Sequence, residues 1–371
     1  MTGKNIIKYI ENWAPKEIAW VKDNVGLQVG SPNKKVKNIL ISLDLTNNVV
    51  DDAIKKNCNF IITHHPLLFR PLKKIDLQND NNSILIERII KNDITIYSAH
   101  TNLDYVKDGV SYQLAKRLQL SGLNFLVRLK SNQSKLIVYV PHEFSSKVSD
   151  AIFEAGGGII GEYSNCSYKS SGVGTFIGSS KTHPKVGQNE VLQNVNEMKL
   201  EIIIDNWQLN NAISSMIKAH PYEEPAYDVI QLGNDNSRFG IGAVGILEKP
   251  LNPQEFLNFV SEKLRIKNFR YNGGIKKSIS KVAVCGGSGA EYINDAIKNN
   301  ADAYITADIK YHTFQDYKND ILLIDAGHYE TEVVSLDEIK RRLTLYKKAN
   351  NSSIKIFKYK GSTNPVKFFN N

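Results

Sequence analysis

Cys58-Asn59-Phe60-Ile61-Ile62-Thr63-His64-His65-Pro66 decides the reading of this chain. Its apolar centre is short, rich in Ile and Phe and bounded by polar residues, the pattern of a buried strand. The two histidines stand where that strand ends. In open α/β sheets, chemistry collects at the carboxyl ends of strands, and neutral imidazole is the commonest metal-binding side chain. Two adjacent His on a turn can face two different ions; the alternative is one structural His and one surface His.

Two further stretches repeat the arrangement. Residues 94–99 form a second strand-like run that leads into His100-Thr101-Asn102-Leu103-Asp104, and 320–326 leads into Gly327-His328-Tyr329-Glu330-Thr331-Glu332. Three strand ends thus supply imidazole, and two of them also supply carboxylate. His328 and Glu332 share one face if a helix begins there. A set of His and carboxylate without Cys suits zinc, iron or manganese rather than a thiolate-held structural ion.

With Asn24-Val25-Gly26-Leu27-Gln28-Val29-Gly30 added, these motifs resemble the family of GTP cyclohydrolase type 2 homologues, also called Nif-three-like proteins. The resemblance covers about residues 1–130 and 235–371, in order. It implies a dinuclear site in which two divalent ions per chain (zinc, iron or manganese) are held by His64, His65, Asp104, His328 and Glu332. It also implies a ring-like homohexamer and ring opening of GTP, or hydrolysis of another nucleotide or phosphorylated compound. His100 and His312 are expected to serve as outer, proton-transferring groups. A metal-binding regulatory or adaptor protein without turnover is the reading from another class.

The order of elements agrees with a layered α/β core. Strands over 36–43, 58–62 and 94–99 alternate with helices over 47–56, 83–91 and 110–120. Residues 122–134 read as a polar linker. A strand over 135–141, a helix over 145–155, strands over 171–177 and 198–204, a helix over 208–218 and a strand over 227–231 then give β-α-β-β-α-β, the ferredoxin-like unit. The stretch 219–228 resembles the CutA- and PII-like inserts of longer family members. The expected organisation is a core split over 1–130 and 235–371, with an inserted domain over 131–234. His220, Glu223 and Glu224 could form a second metal site, but Pro221 and Pro225 favour a helix-ending turn.

The second half of the core resumes with a Gly-punctuated strand over 240–247 and a strand over 281–285. Gly286-Gly287-Ser288-Gly289 follows, either a phosphate cradle or a tight turn. Cys285, with no activating His nearby in sequence, reads as a buried thiol. A strand over 303–306 leads to Asp308 and His312, expected with Thr306 to line the same pocket.

Composition sets the remaining bounds. With 371 residues, 42% of them hydrophobic, the chain has material for two domain cores. It contains no run of about 18 apolar residues to span a membrane, and no signal-peptide pattern in 1–8. Cys58, Cys166 and Cys285 are widely spaced and read as reduced, so a cytoplasmic location is expected. The net charge of +9 is concentrated at the end, where nine Lys and Arg between Lys340 and Lys367 face only Asp337 and Glu338. Such a segment could attract nucleic acid, but it has no aromatic stacking platform, and a solvated helix face explains it more simply.

Overall fold

Asn38–Ser42, Phe60–Thr63 and Thr95–Ser98 are short and mostly apolar, and almost every residue in them is buried, which suits strands covered on both faces. In the computed structural model, which describes residues 1–183, 185–273 and 277–369, they lie parallel, with Ile39 opposite Phe60 and Phe60 opposite Thr95. Lys355–Lys358 adds a parallel strand beside Asn38–Ser42, and Gly26–Val29 an antiparallel one beside Thr95–Ser98. Helices Asn47–Lys55 and Asn81–Lys91 press Val49, Val50, Ala53, Leu85 and Ile89 into the core of this sheet. Each starts at a side-chain cap, Thr46 accepting from Val49 and Asp80 from Asn82 and Ser83.

A six-stranded sheet forms the other half of the core. Its order is Arg270–Tyr271, Leu322–Asp325, Ala303–Ala307, Ile279–Ser288, Ala243–Leu251, Ser121–Asn124. The strands starting at Leu322, Ala303 and Ile279 are parallel, and the outer ones antiparallel. Helices Val110–Arg117 and Pro253–Leu264 contribute Leu114, Phe256 and Val260 to a cluster with Val282, Ile305 and Ile324. The carboxyl ends of the parallel strands are Ser42, Thr63, Ser98, Lys358, Ser288, Ala307 and Asp325, and the candidate ligands follow Thr63, Ser98 and Asp325.

The chain divides into two compact units, Met1–Val127 with Phe239–Asn371, and Arg128–Arg238. The second unit is an antiparallel sheet in the order Tyr227–Leu232, Gln133–Pro141, Gln193–Asp205, Tyr168–Phe176. Helices Ser145–Glu154 and Leu209–Ala219 cover one face, packing Val148, Ile152, Ala212 and Met216 against Leu136, Val138, Leu200 and Ile202.

The mixed α/β class agrees with the alternation in the sequence, but two details differ. The stretch 122–134, read as a linker, overlaps the strand Ser121–Asn124, paired with Ala243–Leu251, and contains the buried Phe125 and Leu126 and the strand Val127–Lys130. Its polar residues are those of an edge strand, whose partner lies too far along the chain for local pattern to show. The strand read over 240–247 is broken at Gly242, which takes φ +65 between Asp235–Ile241 and Ala243–Leu251. Among the described residues, no helix is long and apolar enough to cross a membrane.

Candidate metal centre

His64 and His65 leave the strand Phe60–Thr63 with their backbone N–H groups donating to Leu43 O at 3.1 and 3.0 Å. Thr63 Oγ1 donates to His65 O at 2.9 Å and lies 2.7 Å from Ser98 Oγ, so the ends of two neighbouring strands are tied together. His100 follows the second of them. His328 and Glu332 come from the short helix His328–Glu332, reached through Gly327 at φ +90. Four imidazoles meet as a result: ring centroids are 5.1 Å apart for His64 and His65, 5.2 Å for His64 and His100, and 5.4 Å for His65 and His328.

Each of these rings has its Nδ1 engaged by an oxygen acceptor. The partners are Ala99 O for His64 at 2.8 Å, Asp44 for His65 at 2.6 Å, Asp23 for His100 at 2.8 Å and Asp308 for His328 at 2.7 Å. An engaged Nδ1–H leaves Nε2 as the free donor atom, the tautomer a metal requires. Glu332 lies among the rings, its Oε1 3.1 Å from His328 Nε2 and 3.7 Å from His64 Nε2, its Oε2 3.0 Å from His65 Nε2. Asp104 Oδ1 is 3.8 Å from His64 Nε2.

Among the described residues, three buried polar atoms of the centre have no hydrogen-bond partner: His64 Nε2, Asp104 Oδ1 and Glu332 Oε2. The short approach of His65 to Glu332 Oε2 lacks the alignment of a hydrogen bond. Buried polar atoms are almost always satisfied, and three orphaned donor atoms converging on one place are what a cation would satisfy. The residues present therefore fit a metal. Two groups of ligand atoms lie close enough to share an ion, His64 with His65 and His100, and His65 with His328 and Glu332.

Electrostatics point the same way. Burial alone would lower the pKa of His65, but its hydrogen bond to Asp44 and the negative charge of Glu332 raise it to about 10; burial likewise opposes, and Glu332 and Asp308 outweigh it, in raising His328 to about 9. Burial and the neighbouring Glu332 push Asp104 well above the usual carboxylate range. Burial would raise Asp23 too, but donors from His100 and Thr101 hold it down at about 2. His65 and His328 thus retain protons that balance the carboxylates beside them, whereas burial lowers the pKa of His64; divalent ions would displace those protons.

Gly286-Gly287-Ser288-Gly289 is part of this wall. Gly287, at φ +65, donates its N–H to Thr331 Oγ1 at 3.0 Å and accepts from Thr306 Oγ1 at 2.9 Å, and a Cβ there would lie 2.2 Å from Glu332 Oε1. Thr306 supports the Gly turn and Asp308 orients His328. His312, expected in the same pocket, is exposed on the helix Tyr311–Asp316, its ring edge-on to Tyr311, and belongs to neither ligand group among the described residues. Asp308 at φ +56 turns the chain there, so Asp308 and not His312 reaches the centre. Cys285 is buried, which pushes its thiol up and away from nucleophilic use. Asp23 and Asp44 escaped the sequence reading. Asp44 follows the strand Asn38–Ser42, a carboxyl-end position that could have marked it.

A cavity of about 620 Å³ opens beside the centre, lined by Asp44, His65, Arg270, Asp308 and His328 among others.

Comparisons with known proteins agree over the whole chain. The model of the family described as Duf34/NIF3 (NGG1p interacting factor 3) matches residues 1–365. A protein of Bacillus subtilis named GTP cyclohydrolase 1 type 2 homolog is 37% identical over 370 residues, 99% of each chain. One of the same name from Halalkalibacterium halodurans is 38% identical over 343 residues, 92% of each. The crystal structure of a Bacillus cereus protein related to NIF3 superposes with a TM-score of 0.86 at 37% identity, covering 100% of this chain and 99% of that one. With both its length and its fold matched in this way, the chain belongs to the Duf34/NIF3 family.

Proposed function

We propose that this protein binds two divalent cations through His64, His65, Asp104, His328 and Glu332 and hydrolyses a nucleotide or related phosphorylated compound. The observation that carries the reading is the convergence of three buried, partnerless ligand atoms within a cluster of imidazoles whose Nδ1 atoms are all engaged. The name shared by the relatives supports a GTP cyclohydrolase-like reaction. Bound cations would supply Lewis acidity, activating water and polarising the bond under attack. Glu332 has one oxygen toward His328 and the other toward His65, which supports its role as a ligand in the proposed site. His100, held by Asp23, is the candidate proton acceptor in the wall. Arg270 lines the adjoining cavity, where its guanidinium can meet a phosphate. Zinc, iron and manganese all suit this ligand set.

We also read the Arg128–Arg238 unit as ferredoxin-like, because its fourth and first strands are neighbours, followed by its third and second. A cytoplasmic homohexamer is the assembly we propose for the family member as a whole. We read the basic C-terminal run as a solvated helix face in preference to a nucleic-acid surface, because Arg341 and Arg342 both engage Glu338, and Arg342 also engages Asp108.

Elemental mass spectrometry tests the reading on protein purified without chelator or affinity metal. About two equivalents per chain are expected in the wild type, falling in both His65→Ala and Glu332→Ala. Metal-dependent release of product from GTP or another nucleotide is then the expected activity. Less than about half an equivalent, unaffected by either substitution, would sink the metal reading.

A further inference from the structure

The four imidazoles of the centre are not oriented by equally rigid groups. His64 is held by a main-chain carbonyl. The other three are held by carboxylates, and each carboxylate is itself fixed by a hydroxyl: Asp23 by Thr101, Asp308 by Ser288 and Asp44 by Thr363. Thr101 adjoins its His, and Ser288 ends a central strand. Thr363 differs, because it sits 319 residues from Asp44, on the segment that follows the last strand, Lys355–Lys358, and runs to residue 369 without regular structure.

That segment is anchored on the metal centre at two points. Thr363 Oγ1 donates to Asp44 Oδ2, while Asp44 Oδ1 lies 2.6 Å from His65 Nδ1. Asn364 Nδ2 donates to Glu330 Oε1 at 2.8 Å, in the helix that carries His328 and Glu332. Val366 N–H donates back to Asn364 Oδ1 at 2.9 Å and folds the chain there. Beyond that fold Val366, Phe368 and Phe369 line the 620 Å³ cavity yet remain 59%, 57% and 91% exposed, so burial of apolar surface does not explain why the segment docks. The polar anchors do.

We propose that Thr363 is a positioning residue for the metal centre: by fixing Asp44 it sets the orientation of His65, so that docking of residues 362–369 and metal affinity are coupled. The inference rests on the metal-site reading above. Without the hydroxyl, Asp44 can rotate and His65 loses a fixed acceptor; such outer contacts typically change metal affinity by about 10- to 100-fold. Coupling is reciprocal, so a bound ion must hold the segment down as strongly as the segment holds the ion.

The test is cobalt(II) binding to full-length metal-free protein, followed by its visible absorption, for wild type, Thr363→Val, Thr363→Ser and a chain ending at Gly361. The isosteric valine and the shortened chain should each weaken cobalt binding about tenfold or more, and serine should restore it. Cobalt should also slow tryptic cleavage after Lys360 and Lys367 in the wild type and leave it unchanged in Thr363→Val. Valine binding within about twofold of wild type, or serine as weak as valine, overturns the proposal while leaving the metal site standing. Wild-type protein that takes up no cobalt overturns both.

Discussion

At the scale of single residues, the centre depends on backbone that a side chain would obstruct. A methyl group at Gly287 would fall 2.2 Å from Glu332 Oε1 and 3.3 Å from His328 Nε2, at a φ that L-residues rarely adopt. Gly287→Ala should therefore cut metal uptake at least about tenfold and lower stability by about 1–3 kcal/mol. Gly172→Ala, where nothing lies within 4 Å of the added carbon, should change neither. Metal content and urea titration of the two variants check this. The five proposed ligands were singled out in the sequence by short motifs of His and carboxylate at strand ends and by the family resemblance those motifs carry. Asp23 and Asp44 were not, because their partners lie 77 and 21 residues away and an isolated Asp in a loop carries no signature of what it orients. His312 misled for the opposite reason: the motif placed it close in sequence, and the turn at Asp308 left it exposed.

At the scale of elements, the parallel strands were legible because sheets covered on both faces demand short unbroken apolar runs. The edge strand Ser121–Asn124 was not, since exposure on its flanks permits polar residues. The turn after Leu209–Ala219 depends on His220. This residue caps the helix, with Nε2 3.0 Å from Tyr139 O and Nδ1 accepting from Tyr222 N–H at 3.1 Å. Both nitrogens are spoken for in the neutral ring, and burial lowers its pKa below the ordinary 6.5. Its contribution is then complete above that value, and it is lost as pH falls below 6.5, where the unfolded chain binds a proton that the folded ring resists. Urea unfolding should show stability falling below that pH, with a shallower fall in His220→Gln. An equal slope in both proteins would contradict the assignment.

At the scale of the whole molecule, the candidate centre belongs to one of the two compact units. All the candidate ligands and their orienting carboxylates lie within Met1–Val127 and Phe239–Asn371. Replacing Arg128–Arg238 by a short Gly-Ser linker should leave metal content per chain unchanged and alter the assembly state, read by elemental analysis and light scattering. Loss of metal together with the excised unit would show that the site depends on it.

The engagement of four Nδ1 atoms by the chain itself has a consequence for how the ions come and go. Ala99 O, Asp23, Asp44 and Asp308 hold their rings with contacts that involve no cation. A divalent ion bound by the proposed ligands would displace the protons of His65 and His328, so its uptake would release hydrogen ions and its affinity would weaken as pH falls. Because imidazole and carboxylate suit several divalent metals, the proposed site would be replaceable in its occupant, which would follow whichever metal is in supply.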